Sequence, residues 1–109
     1  MLASVTVTIL NCPYASMNGK FAKDGDVPRQ FISEDKKHYL YFDQNDKRWS
    51  LSDDKTVLCR ANRGESDLPP AHPWEYWKVA TASYVVSNNM KLALSSETGT
   101  LDHNLLVAL

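Results

Sequence analysis

The sequence predicts an all-β fold: a single small antiparallel domain of about eight to ten short strands, built as a sandwich or a partly closed barrel. Three observations carry this expectation. Apolar and polar residues alternate in short runs, turn-forming residues recur between those runs, and no segment shows sustained helical periodicity with a cap at each end. The chain has 109 residues, 43% hydrophobic and 23% charged, which is the size and make-up of one domain. Residues 1–109 therefore read as one unit, without an internal repeat or a linker.

The first element is SVTVTIL, where Val5, Val7 and Ile9 fall on one face and Thr6 and Thr8 on the other, as in a half-buried strand of β-branched residues. Asn11 to Pro13 ends it. Asn18-Gly19 and Asp24-Gly25 read as tight hairpin turns, which need positive φ, and short strands are expected around them over Lys20 to Ala22 and Arg29 to Ser33. From His38 to Arg60, HYLYFD, KRWSLS and TVLCR form a three-strand meander separated by DQND and DDK. Within it Leu40 and Phe42 share one face, Tyr39 and Tyr41 the other, and Trp49 and Leu51 point together. Asn62 to Pro73 is irregular, because its prolines cannot donate to a sheet ladder. WEYWKV resumes the strands, and ASYVVS and MKLALS are expected to pair around an Asn88-Asn89 turn. ETGT, Glu97 to Thr100, makes a last turn before the apolar strand NLLVAL. Uncharged terminal strands invite aggregation unless covered, so both are expected to be paired, either closing the sheet or meeting across a homodimer interface.

The formal net charge of -1, with both signs interspersed, supplies no field to hold a phosphate backbone, so nucleic acid is not an expected partner. No apolar run reaches the roughly 18 residues of a membrane helix, and no membrane partner is expected. The uncharged first nineteen residues lack a basic region and are interrupted by Thr6 and Thr8, which favours a strand over a signal peptide. A soluble, cytoplasmic protein is the simplest expectation, although a fragment of a larger secreted protein would read the same way.

Cys12 and Cys59 lie outside any CxxC spacing and are expected to be free, buried thiols rather than a disulfide. His38, His72 and His103 show no metal-site spacing. The acidic turns DGD, DQND and SDD lack the order of a calcium loop and are explained by side chains capping their own turns. No metal, cofactor or catalytic residue is assigned.

The most informative residues are aromatic. Tyr39, Tyr41, Phe42, Trp49, Trp74, Tyr76 and Trp77 are more rings than one face of a small sheet accommodates. The stretch LPPAHPWEYW, Leu68 to Trp77, concentrates three prolines, two tryptophans and a tyrosine. Prolines are cheap to order and tryptophan buries a large area, so Trp74 is expected to act chiefly as a lid over the open end of the sheet, with Tyr76 and Trp77 more available to a ligand. The candidate ligand-binding set is Trp77, Tyr76, Trp74, Arg48, Tyr39, Tyr41 and Trp49, with Trp77 stacking on the ligand and Arg48 orienting one of its polar groups. The expected role is non-enzymatic recognition of a glycan or a peptide. Two alternatives belong to other classes: a small hydrolase or transferase using Cys59 with His38 or His72, and an assembly subunit that dimerises through its terminal strands.

The order NGKF, DGD, FISED, HYLYFD, RWSLSDD and PPAHPW, covering Asn18 to about Trp77, resembles a small, largely uncharacterised all-β module of marine invertebrate and protist proteins. The resemblance implies a binding or interaction role alongside other domains. It transfers no functional residue.

Overall fold

The computed structural model describes residues 5–54 and 56–96. They form nine antiparallel strands in one sheet: β1 (Val5–Leu10), β2 (Gly19–Lys23), β3 (Gln30–Ser33), β4 (Tyr39–Asp43), β5 (Arg48–Ser52), β6 (Val57–Ala61), β7 (Trp74–Lys78), β8 (Ser83–Ser87) and β9 (Lys91–Ser96). The spatial order is β8-β7-β6-β5-β4-β3-β2-β1-β9. The meander read from residues 38 to 60 thus extends over eight consecutive strands, and β9 returns to pair with β1.

That order forces the sheet to curl. A flat sheet of nine strands would be about 38 Å wide. β8 and β9 sit at its two ends, yet only residues 88–90 join them, and the chain from Ser87 to Lys91 spans at most about 14 Å. The two edges must therefore come close, and the result is a curled half-barrel.

This corrects the expected hairpin around Asn88-Asn89. ASYVVS and MKLALS are both strands, but they occupy opposite edges and pair with β7 and β1, respectively. Asn18-Gly19 is not a two-residue hairpin turn either. It ends a loop over residues 11–18 that contains a short 3-10 turn, Ala15–Met17. β1 is flanked on both sides, by β2 and β9, so the N-terminal strand is paired as expected. ETGT, NLLVAL and His103 lie outside the described residues.

Alternation builds the core on the inner face. Val7, Ile9, Phe21, Phe31, Leu40, Phe42, Trp49, Leu51, Cys59, Ala61, Trp74 and Leu92 point inward from eight strands and are buried. Turn chemistry fixes the register between strands. Asp43 Oδ1 accepts the Asn45 and Asp46 amides, Asp53 Oδ1 accepts the Thr56 amide, and Asp35 Oδ1 accepts the Ser33 hydroxyl and the Lys37 amide. Gly25 takes φ +54° in the β2–β3 turn, a conformation glycine adopts without strain.

Two irregular segments close the half-barrel. The loop over 11–18 reaches across to the far strands, where Tyr14 donates its hydroxyl to the Trp77 carbonyl at 2.6 Å and Cys12 Sγ lies 3.6 Å from Cys59 Sγ. Segment 62–73 crosses from the β4–β5 turn to β9: Gly64 N donates to Lys47 O at 2.8 Å, and Leu92 N donates to Ala71 O at 3.0 Å. Among the described residues no helix is long and apolar enough to cross a membrane.

Candidate functional site

The register sorts the sequence-predicted residues onto two faces. In an antiparallel pair, directly opposed residues project to the same side, so cross-strand partners can be followed across the sheet. On the outer side one row runs Gln30, Tyr41, Ser50, Arg60, Glu75, Val86. The neighbouring rows place Ile32, Tyr39 and Ser52 together at one end, Asp43 beside Arg48, and Trp77 beside Tyr84. Tyr39, Tyr41, Arg48 and Trp77, four of the seven expected residues, therefore share one face of β4 to β8.

The other three do not. Trp49 and Trp74 point inward, 1% and 0% exposed, and present no ring to a ligand. Each indole N–H is satisfied internally: Trp49 Nε1 donates to Ser66 O at 3.2 Å and Ser66 Oγ at 3.0 Å, and Trp74 Nε1 to Pro70 O at 2.9 Å. Burying indoles this deeply requires such partners, and the proline-rich segment supplies them. Trp74 is thus held under the lid rather than gripping a ligand from it. Tyr76 also points inward, opposite Cys59, and packs half-buried against the core.

The outer face adds residues that the linear sequence did not single out. The Arg60 guanidinium lies 3.8 Å from the centre of the Tyr84 ring and its Nε is 2.9 Å from Glu75 Oε1. Trp77 meets Tyr84 edge to face at 5.1 Å. Tyr84 donates its hydroxyl to Val57 O at 2.9 Å. Ser50 and Ser52, on the same outer rows, are buried. Arg48 Nε lies 2.8 Å from Asp46 Oδ2, close enough to pair charges but not aligned as a hydrogen bond, and Asp46 Oδ1 also receives Arg63.

Two phenols on this face are perturbed. Burial pushes the Tyr41 phenol up, reinforced by the Asp43 carboxylate, and burial also pushes the Tyr84 phenol up against the opposing pull of Arg60. Both phenols therefore stay protonated at neutral pH, while Arg48 and Arg60 lie beside Asp46 and Glu75. Rings and paired polar groups here are half-exposed, and a hollow of about 510 Å³ opens beside Tyr39 between Lys36, Lys37, His38, Asp53 and Asp54.

Other chemistry is less well provided for. Cys59 is fully buried facing Cys12, and both that contact and its burial raise its pKa. His38 instead neighbours Asp35, with Nδ1 3.9 Å from Oδ1, and His72 is exposed. Ser33, Asp35 and His38 lie together, but the serine hydroxyl donates directly to Asp35 at 2.6 Å and its oxygen accepts the His38 amide. That arrangement closes the β3–β4 turn; a triad would need the imidazole between the other two. Among the described residues no group of three or more His, Cys, Asp or Glu side chains is placed to hold a metal ion.

Arg60, Glu75 and Tyr84 could not be assigned to the face in advance, because their adjacency depends on register across β6, β7 and β8. Only the alternation within each strand was visible. Comparison with protein-family models, curated proteins and solved structures gives no match.

Proposed function

We propose that the protein is a non-enzymatic recognition module whose outer face across β4 to β8 binds a carbohydrate. The observation that supports this reading most is the gathering of Tyr39, Tyr41, Trp77 and Tyr84, half-exposed, on the side of the sheet away from the core, interleaved with Arg48, Arg60 and Glu75. The inner face satisfies packing without them. Rings laid on a sheet stack on the apolar faces of pyranose rings, while fixed arginine and carboxylate groups bond hydroxyls. Trp77 is the stacking residue and Arg48 the orienting one in this reading, and the hollow beside Tyr39 gives an extended chain somewhere to continue.

Retention on immobilised polysaccharides and a glycan array tests the proposal, comparing the wild-type chain with Trp77→Ala and Tyr41→Ala. Loss of at least about tenfold in affinity is expected for Trp77→Ala, within the range of truncated aromatic anchors, with far-UV circular dichroism unchanged. Unaltered binding in both variants, or retention only of peptides, would overturn the carbohydrate reading.

A further inference from the structure

The recognition face leaves one pair of reactive groups unused. Cys12 sits in the loop over 11–18 and Cys59 at the centre of β6, and their sulfurs are 3.6 Å apart in the core. We propose that Cys12 and Cys59 are a modification site, a reversible disulfide that fastens this loop to β6, formed by exchange with a low-molecular-weight disulfide.

The geometry favours intramolecular closure. A disulfide bond is about 2 Å long, so the sulfurs need to approach by only about 1.5 Å to bond. Cys59 is fixed in the ladder between Leu51 and Tyr76. The backbone of Cys12 is held from both sides by one residue: its N–H donates to Asn18 Oδ1 at 2.8 Å, and its carbonyl accepts Asn18 Nδ2 at 3.4 Å. The loop therefore presents one sulfur to the other before any reaction.

The two thiols also differ as an exchange pair should. Cys12 is 5% exposed and Cys59 0%, so the reagent meets Cys12 first. The S–H of Cys59 stabilises a Cys12 thiolate, which lowers its pKa, whereas Cys59 is raised by the same contact and by burial. In the first step the Cys12 thiolate attacks RSSR, forming a mixed disulfide and releasing one RS⁻. Cys59 Sγ then attacks Cys12 Sγ, forming the internal bond and breaking the mixed disulfide, and the departing sulfur takes the Cys59 proton and leaves as RSH. Both cysteines are oxidised and RSSR is reduced to two thiols; a dithiol reverses the sequence.

The bond would close a long chain loop, with forty-six residues between the cysteines, and constraint of the unfolded chain grows with such length. It would also tether the loop whose Tyr14 bonds the Trp77 carbonyl. The proposal is independent of carbohydrate binding and is read by different measurements.

The full chain, reduced and then incubated natively with oxidised glutathione, is quenched, denatured and alkylated. The expected product is a monomer with no alkylated thiol and a mass lower by two hydrogens. Its thermal midpoint should rise by on the order of 10 °C, reversibly with dithiothreitol. Cys12→Ala should leave Cys59 without a glutathione adduct; if that variant does not fold, the alkylation count on the wild-type chain decides alone. Two alkylated thiols, a stable glutathione adduct, disulfide-linked dimers, or an internal bond with an unchanged midpoint would each overturn the proposal.

Discussion

Asp46 holds two arginines at once, and its carboxylate is the hinge of the polar network beside the candidate face. Oδ1 receives Arg63 Nη2 at 2.8 Å while Oδ2 lies 2.8 Å from Arg48 Nε. The Arg63 hydrogen bond chiefly holds the Asp46 pKa below its ordinary value, with the Arg48 charge adding to it. Because the folded value lies below the roughly 3.9 of an unfolded aspartate, the contribution to stability is present above that pH and lost as pH falls through the folded value. Asp46→Asn should therefore lower stability at neutral pH and flatten its acid decline below about pH 4, with urea unfolding from pH 7 to pH 2.5 as the measurement. Parallel curves for variant and wild type would show that the network does not depend on this charge. The sequence marked Arg48 as an orienting residue but could not reveal what orients it, since Asp46 also reads as an ordinary turn acid. The tryptophans show the same limit. Counting rings established that some must lie outside the core, but Trp74 and Trp77 are separated only by alternation along β7, and the buried destination of Trp49 and Trp74 depends on acceptors in segment 62–73.

The strands were legible because each carries its own period of two, and all nine described strands coincide with runs that read as strands. Pairing was legible only where a short polar turn joins neighbours, as in β4 to β6. Asn88-Asn89 shows why the rule fails elsewhere. A short connection brings two strand ends together but does not make the strands pair, and here it spans the seam of a curled sheet while β9 takes β1 as its partner. Segment 11–18 has no strand signal, yet it ties the two halves of the half-barrel through Tyr14. Its phenol is pushed up by burial and stays protonated as a donor well above neutral pH. Tyr14→Phe removes that donor while preserving the ring, and should cost about 1 kcal/mol, the typical net worth of one hydrogen bond. Urea denaturation should give a lower midpoint with an unchanged slope. An unchanged midpoint would mean that the ring alone anchors the loop.

The curl makes stability uneven across the sheet, and the candidate face spans the gradient. β4 and β5 are paired on both sides and carry Leu40, Phe42, Trp49 and Leu51 into the core. β8 lies at an edge, its only strand partner among the described residues is β7, and its Val86 is 50% exposed. Detaching β8 breaks one ladder, the Trp77–Tyr84 contact and the Tyr84 bond to Val57, whereas opening β5 breaks two ladders and uncovers Trp49. Native-state hydrogen exchange should therefore find β8 amides that face β7 at least about tenfold less protected than ladder amides of β4 and β5, because local opening needs less free energy than global unfolding. Uniform protection would mean that the sheet opens only as one unit. The gradient bears on recognition, since Trp77 and Tyr84 lie where the sheet is easiest to open while Tyr39 and Tyr41 lie where it is firmest. A ligand that stacks across both regions selects the closed form, so it should slow exchange in β8 and leave β4 and β5 nearly unchanged.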